Sequence, residues 1–295
     1  MDENWDCIVV GAGAAGLSAA LVLGRARRRT LVLDTGQQSN RAAHGIGGML
    51  GQDGRPADAF YADGRRELAA YPAVEVRDLE VVGADGFTLT LADGTRQTGT
   101  TILLATGMSY RYPDLPGAAE RWGRSVFHCP FCHGWEVRDR PLCVLDDSGI
   151  HRALLLTAWS DDVTLLSTTV SDEDRARLDA AGVTIDDRPV ASLRGPGDEL
   201  EAVVFADGSE RECGGLLVAV SLHQRSALAE QLGATYAEPS PLTAEGLAVG
   251  GPNATNVPGL FVAGDATGQM PSVANVIASG AMAASAIVGR LTGAM

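Results

Sequence analysis

Two cysteines separated by two residues give this chain its clearest chemical signal: Cys129-Pro-Phe-Cys132, followed directly by His133. A C-x-x-C pair cycles between a dithiol and a disulfide. At the start of a helix, backbone N–H groups and the helix dipole lower the pKa of one of its thiols. An imidazole titrates near neutral pH, so His133 can take the proton of a substrate thiol. We therefore predict that Cys129, Cys132 and His133 are catalytic.

The side chains around this pair leave alternatives open. Phe131 and Trp135 either line an apolar wall for a substrate or pack the helix, and His128 is expected to be a surface residue. We predict no metal site, because the sequence holds no second pair of ligands at the spacing of a zinc site.

Composition and charge narrow the classes of protein. The 295 residues carry a net charge of −14, and all 23 basic residues are arginine. The lack of lysine excludes a lysine nucleophile, a Schiff base and a P-loop. The acidic balance argues against nucleic acid and membrane partners. With no signal-peptide pattern at the acidic N-terminus and no apolar run long enough to span a bilayer, we expect a soluble, cytoplasmic protein. In that reducing compartment Cys7, Cys143 and Cys213, which lie in or beside apolar runs, are expected to be buried and unreactive.

A dinucleotide fingerprint opens the chain. The apolar run Trp5–Val10 reads as a buried strand and leads into G-A-G-A-A-G at 11–16, then a helical stretch, then the strand Thr30–Leu33, which ends at Asp34. The glycines permit a tight turn and close backbone approach, the helix N-terminus faces a pyrophosphate, and Asp34 accepts from a ribose hydroxyl.

Two later segments indicate that the dinucleotide is FAD. Thr101–Gly107 ends in A-T-G and Leu260–Asp265 ends in Gly-Asp, as in flavoproteins that bind two dinucleotides. The helix that follows, from Pro271 to about Leu291, would direct its N-terminus at the reduced flavin. The predicted FAD ligands are Gly11, Gly13, Ala14, Ala15, Gly16, Asp34, Asn40, Thr106, Gly107, Gly264, Asp265, Val273 and Ala274.

The segment between the A-T-G and Gly-Asp motifs has the β-α-β order of a second nucleotide-binding lobe, with strands at Pro141–Leu145 and Asp162–Ser167 around a helix. Its first turn, however, reads Asp146-Asp-Ser-Gly149, and two carboxylates there would repel a pyrophosphate. The second strand ends in Ser-Thr-Thr, at 167–169, without an arginine for a 2′-phosphate. We expect this lobe to keep the fold and to lack the NADPH site.

The predicted fold is α/β and two-lobed. A Rossmann-like FAD-binding domain is formed from 1–112 and 243–295, and a second Rossmann-like domain of degenerate NADPH type, carrying the C-x-x-C, is inserted at 113–242. Proline and glycine mark the two crossings, at Tyr112–Gly117 and Pro239–Pro241.

These motifs resemble the low-molecular-weight thioredoxin reductase family over nearly the whole chain: G-A-G-A-A-G at 11–16, A-T-G at 105–107, C-x-x-C at 129–132 and G-D at 264–265. The chain departs from that family at His133, where those enzymes have aspartate, and in the missing NADPH motifs. Both departures resemble the dithiol oxidases of bacterial and fungal disulfide natural products, of the holomycin and gliotoxin type. The C-x-x-C-H-G motif of those oxidases matches Cys129–Gly134.

This resemblance implies a homodimeric FAD enzyme. It would oxidise a small-molecule dithiol to an intramolecular disulfide and pass the electrons to O2, which gives H2O2. Cys129 would exchange with the substrate and Cys132 would contact the flavin. Two alternatives stay open: an NADPH-independent, ferredoxin-linked thioredoxin or disulfide reductase, and a non-catalytic FAD redox sensor.

Overall fold

The computed structural model describes residues 4–294. They form two compact units. Unit 1 comprises the described residues up to Arg41, Ala57–Tyr110, and those from Ser221 onward, and unit 2 comprises Ala42–Pro56 and Arg111–Val220.

In chain order the strands are β1 Trp5–Val10, β2 Thr30–Leu33, β3 Val74–Arg77, β4 Val81–Asp85, β5 Thr88–Leu91, β6 Arg96–Leu104, β7 Met108–Arg111, β8 Val126–Phe127, β9 Leu142–Leu145, β10 Val163–Leu166, β11 Thr184–Asp186, β12 Val190–Arg194, β13 Ala202–Phe205, β14 Glu210–Glu212, β15 Gly215–Val218, β16 Ser221–Gln224 and β17 Leu260–Val262. The helices are α1 Ala14–Arg25, α2 Ala57–Leu68, α3 Pro130–His133, α4 Ile150–Leu156, α5 Asp172–Ala180, α6 Leu228–Gln231 and α7 Val273–Leu291. Short 3-10 helices lie at Ser39–Ala42, Ala119–Arg121 and Gly264–Thr267.

Unit 1 is built on a mostly parallel sheet. Its parallel part has the order β3-β2-β1-β6-β17, and β5 and β4 continue from β6 as antiparallel strands. Residues on both faces of β1 are buried, which agrees with the apolar run that predicted a buried parallel strand. Because β1, β2, β6 and β17 are parallel, their carboxyl ends lie along one edge of the sheet, where a nucleotide binds in such sheets.

Helices α1 and α7 pack directly against each other through small residues. A Cβ built on Gly280 of α7 would lie 2.0 Å from the carbonyl oxygen of Ala15 in α1, so the two backbones touch there. By length and composition, α7 is the one described helix that is apolar enough to cross a membrane. One such helix is weak evidence for a membrane span, and 33% of its apolar window is buried, including Ser279, Gly280 and Ala283.

Unit 2 has its own parallel sheet, in the order β11-β10-β9-β15-β8, with α4 joining β9 to β10. A separate antiparallel sheet has the order β12-β13-β14, and the turn at Asp207 joins its last two strands. The two parallel sheets confirm the α/β class with two Rossmann-like lobes.

The division into units differs from the predicted boundaries at two segments. Residues 42–56 belong to unit 2, and 221–242 belong to unit 1, while the predicted crossing after residue 112 falls two residues earlier, after Tyr110. The first segment is tied to unit 2 by a hydrogen bond from a side chain, because Arg124 Nε donates to the Ala42 carbonyl over 3.0 Å. The second pairs β16 with β7 and places Leu222 and Leu228 in the unit 1 core. The chain thus returns to unit 1 well before Pro239.

Candidate active site

The C-x-x-C pair of unit 2 lies at the start of α3. Cys129 is the N-cap residue in an extended conformation, and Pro130 occupies the first helical position, where its missing N–H costs nothing. The N–H of Cys132 donates to the Cys129 carbonyl over 3.2 Å, which closes the turn and brings the two side chains together. Both cysteines are free thiols and partly buried.

The two thiols differ strongly in acidity. A hydrogen bond from Cys132, assisted by the N–H groups of Cys132 and Phe131, lowers the pKa of Cys129 to about 7 against the opposing effect of burial. The same interaction, together with burial, raises the pKa of Cys132. Once deprotonated, Cys129 accepts a hydrogen bond from the Cys132 thiol, and this hydrogen bond stabilises the reduced pair.

The loop 42–56 lies against the backbone of this pair within unit 2. A Cβ on Gly47 would come within 2.6 Å of the Cys132 carbonyl oxygen, so only glycine fits there. The loop is closed by a bridge between Ile46 and Arg55. Gly47 carries no local signal of this role, because the contact joins residues that are distant in the sequence.

The His133 ring is buried and stacks on Phe127, with 5.6 Å between ring centroids. Neither ring nitrogen makes a hydrogen bond of good geometry within the described residues. Burial lowers the pKa of His133; the nearby carbonyl groups of Cys129 and Gly123 and the charge of Glu136 oppose this without overcoming it. A neutral imidazole with two unsatisfied nitrogens is able to accept a proton or to hold a water molecule.

His128 is half-buried rather than exposed at the surface. Its ring stacks on Trp122, with centroids 5.8 Å apart, and burial lowers its pKa to about 4. The expectation of a surface residue is therefore wrong, because the apolar strand β8 and the stacked ring carry His128 into the fold. Cys7, Cys143 and Cys213 are buried as predicted, and burial raises the pKa of Cys7 to about 12. Among residues 4–294, no group of three potential ligands is arranged to hold a metal ion.

In unit 1, the fingerprint turn between β1 and α1 has the tight geometry that the sequence predicts. Gly11 has a φ of +103°, and a Cβ there would lie 2.3 Å from the Ala105 carbonyl oxygen. A Cβ on Gly13 would meet only a side-chain atom of Gln38 at 3.8 Å, so the space in front of the turn is open. Helix α1 begins at this opening, with the N–H groups of Ala14 and Ala15 in its first turn.

Asp34 lies at the end of β2 and is buried, as a ribose ligand at this sheet edge requires. Its Oδ1 accepts from the N–H of Ala12 over 3.0 Å, and its Oδ2 accepts from Gln38 over 3.1 Å. Arg65 of α2 forms an ion pair with the same carboxylate. Sequence reasoning missed Arg65, since nothing in α2 indicates a partner 31 residues away.

The second predicted FAD segment, Gly264-Asp265, is held by hydrogen bonds within unit 1. Gly264 has a φ of +75°, and its N–H donates to Ser279 Oγ over 3.1 Å. The Tyr110 hydroxyl donates to Asp265 Oδ2 over 3.1 Å, and burial raises the pKa of Asp265.

The remaining predicted ligands also lie in unit 1. Val273 and Ala274 begin α7, which Ser272 caps by accepting from the Asn275 N–H over 3.2 Å. Asn40 Oδ1 accepts from the Tyr61 hydroxyl over 2.8 Å. Thr106 and Gly107 follow β6, and Gly107 has a φ of +63°.

Arg225 was also missed by sequence reasoning. It follows β16 and donates to the carbonyl groups of Met108 and Gln37, at 3.2 and 2.8 Å, and its charge acts on Asp265. It ties the segment after β6 to the loop after β2. All thirteen predicted FAD ligands thus fall in unit 1, and the three predicted catalytic residues fall in unit 2.

These features of unit 1 fit FAD. An open glycine turn at a helix N-terminus suits a pyrophosphate, a buried acid at the end of β2 suits a ribose, and a buried Asp265 suits a polyol chain. The fit rests on residues that the structure places along one edge of one sheet.

The corresponding turn of unit 2, between β9 and α4, is filled by its own side chains. The Asp146 side chain is only 8% exposed and pairs with Arg152. Its Oδ1 accepts from both the N–H and the hydroxyl of Ser148, each over 3.0 Å. The turn therefore presents a carboxylate, already satisfied by local donors, where an intact site would offer free N–H groups to a phosphate.

Comparison with known proteins places this architecture in a family. Residues 5–280 match the pyridine nucleotide-disulphide oxidoreductase family. The thioredoxin reductase tcpT of Claviceps purpurea is 30% identical over 298 residues, which cover 94% of this chain and 91% of that protein. A probable thioredoxin reductase of Arthroderma benhamiae is 36% identical over 154 residues, and this match spans 49% of the chain and 38% of that protein. The crystal structure of HlmI is 33% identical, with a TM-score of 0.91 over 99% of this chain and 94% of that one.

The fold and the site define a thiol–disulfide oxidoreductase that binds FAD. The chain belongs to the pyridine nucleotide-disulphide oxidoreductase family, and the predicted resemblance to thioredoxin-reductase-like flavoproteins is confirmed.

Proposed function

We propose that this enzyme oxidises a small-molecule dithiol to an intramolecular disulfide, with O2 as the electron acceptor. The observation that carries the proposal is the turn of unit 2, where Asp146 and its local donors occupy the place of a phosphate site. An enzyme that does not take electrons from NADPH is suited to take them from a thiol.

The acidity of the cysteine pair supports the direction of electron flow. One substrate thiolate attacks Cys129 Sγ of the protein disulfide, and Cys132 leaves. The second substrate thiolate then attacks the substrate sulfur of the mixed disulfide, and Cys129 leaves as a thiolate. A thiol with a pKa of about 7 leaves readily. The products are the substrate disulfide and the protein dithiol.

Two protons are released when the substrate dithiol becomes a disulfide, and His133 is the group proposed to accept the first. Its pKa is lowered by burial, so the ring is in its basic form at neutral pH. FAD held by unit 1 would supply the two-electron chemistry that re-oxidises the dithiol, with the electrons and both protons passing to O2 to give H2O2.

An oxygen electrode tests the proposal directly. With a panel of small dithiols, we expect one O2 consumed and one H2O2 formed per disulfide. Failure to oxidise any dithiol in air would refute it.

We further propose that the enzyme is a cytoplasmic homodimer and that its partners include neither nucleic acid nor membrane. Light scattering tests the dimer, and cell fractionation tests the location.

A second candidate is an NADPH-independent reductase of thioredoxin, favoured by the name of the Claviceps purpurea relative. Reduction of the flavin by ferredoxin, with transfer of the electrons to thioredoxin, would support it. Supplying reduced ferredoxin and no dithiol separates the two candidates, because only the reductase would then pass electrons to thioredoxin.

A further inference from the structure

The surface of unit 2 beside the two cysteines is aromatic and open. Phe131, between the cysteines in sequence, is 69% exposed, and Trp135 is 66% exposed. The backbone remains helical through Gly134, so residues 131 and 135 lie on the same side of this turn. Large rings that packed the helix would be covered. These rings are instead exposed, on the turn that carries the two cysteines.

Both rings are held in place by neighbouring side chains. Trp159 packs on Gly134, where a Cβ would lie 2.9 Å from its ring, and it meets Phe131 edge-on with centroids 5.4 Å apart. The Arg138 guanidinium stacks on Trp135 at 3.8 Å from the ring centroid and donates to the Trp135 carbonyl over 2.6 Å. Rings fixed in this way lose little conformational freedom when they bind a ligand.

We propose that Phe131 and Trp135 form a platform that binds the ring of a planar, apolar dithiol and so sets the substrate preference of the enzyme. Arg138, stacked on Trp135, adds a positive charge to the platform, which suits a neutral or anionic ring and disfavours a cationic one. This inference rests on the proposed function.

The size of the platform favours a small molecule over a protein. A Phe or Trp side chain buries 150–250 Å², so two such rings, each two-thirds exposed, offer roughly 300 Å². A specific protein interface needs about 800 Å² from each partner. Leu50 is the only other large apolar side chain that is exposed in the described part of unit 2.

The test compares two dithiols that both close to six-membered cyclic disulfides. One is 1,2-bis(mercaptomethyl)benzene, which carries a planar ring, and the other is dithiothreitol, which carries none. In the Phe131→Leu and Trp135→Leu variants of the FAD-loaded enzyme, we expect kcat/KM for the aromatic dithiol to fall about 3- to 10-fold, mainly through KM. The value for dithiothreitol should stay within about twofold, because it makes no ring contact. Leu50→Ala, an exposed apolar residue of the same unit, is the matched control and should change neither.

An equal loss for both dithiols would assign the rings a structural role and overturn the platform, as would no loss for either. Binding of the cyclic aromatic disulfide, measured by calorimetry, is the readout that needs no turnover. We expect weaker binding to both leucine variants than to the parent enzyme, and equal binding would overturn the inference. If the parent enzyme oxidises no dithiol, the proposed function fails, and the binding comparison alone decides the platform.

Discussion

Cys129 and Cys132 belong to one short helix, yet one is acidic and the other is not. The difference arises because the Cys132 thiol and two N–H groups all donate toward Cys129, whereas Cys132 gives its hydrogen to Cys129 and lies beside a negative charge. The arrangement makes Cys129 the better leaving group and the exchange residue. Its role toward a substrate thus follows from hydrogen bonding within the turn.

The acidity of Cys129 is directly measurable. In the reduced protein, thiolate absorbance or the rate of alkylation should rise with a midpoint near pH 7, since the folded environment lowers the pKa to about that value. Cys129→Ser should abolish this step. Cys132→Ala removes the principal donor and should move the midpoint upward, toward the usual value of a cysteine. A parent midpoint near pH 9 would contradict this account of the pair.

His133 should matter most where substrate thiols are protonated. His133→Asn should lower kcat/KM about 100-fold at pH 7, the lower end of the range for a lost general base. Above about pH 9 the substrate is deprotonated without help, so the deficit should shrink. His151→Asn, at an exposed histidine of α4 in the same unit, is the matched control. A deficit that is independent of pH would indicate a packing role against Phe127 instead.

Helices α1 and α7 position the predicted pyrophosphate and flavin ends of the FAD site, and their contact depends on a missing side chain. Gly280→Ala would place a Cβ 2.0 Å from the Ala15 carbonyl oxygen, a rigid backbone atom. We expect a loss of about 1–3 kcal/mol in the free energy of unfolding, together with weaker retention of FAD. Both are measurable by denaturant titration and by flavin release on gel filtration.

Gly64→Ala in α2 is the matched control for Gly280→Ala. Its new Cβ would lie 3.0 Å from a methyl group of Leu17, which is able to move. Alanine is also the better helix former, so the free energy of unfolding should change by less than about 1 kcal/mol. Similar losses of unfolding free energy in the two variants would show that the close contact of α1 and α7 at Gly280 does not require glycine.

The turn between β9 and α4 is stabilised by the carboxylate that replaces a phosphate site. Asp146→Ala removes the acceptor of Ser148 and the partner of Arg152, so we expect a loss of about 1–3 kcal/mol in unfolding free energy. The exposed neighbour Asp147 is the control, and its alanine variant should lose less than about 0.5 kcal/mol. Equal stability of the two variants would mean that Asp146 is not a structural part of the turn.

At the scale of the whole molecule, local patterns predicted the elements and long-range contacts decided the boundaries. The strand–turn–helix around Gly11 and Gly13 was readable because the tight turn needs glycine at fixed spacing. The C-x-x-C at a helix start was readable because Pro130 follows Cys129.

The parts that sequence reasoning missed depend on residues far apart in the chain. Gly47 meets Cys132, Arg65 pairs with Asp34, and Tyr110 donates to Asp265. Loop 42–56 carries no pattern that assigns it to unit 2, and the Pro239–Pro241 segment indicated a crossing that occurs at residue 220 instead. Such contacts depend on the tertiary arrangement of loops between distant strands, which the periodicity of the sequence does not encode.

We propose that electrons enter this flavoprotein from thiols and not from NADPH. Anaerobic addition of NADPH at micromolar concentration should leave the visible absorbance of the oxidised flavin unchanged. A small dithiol should bleach it, and admission of air should restore it with release of H2O2. Rapid bleaching by NADPH, with no bleaching by any dithiol, would contradict the claim and would mean that the turn at Asp146–Gly149 still serves a working nucleotide site.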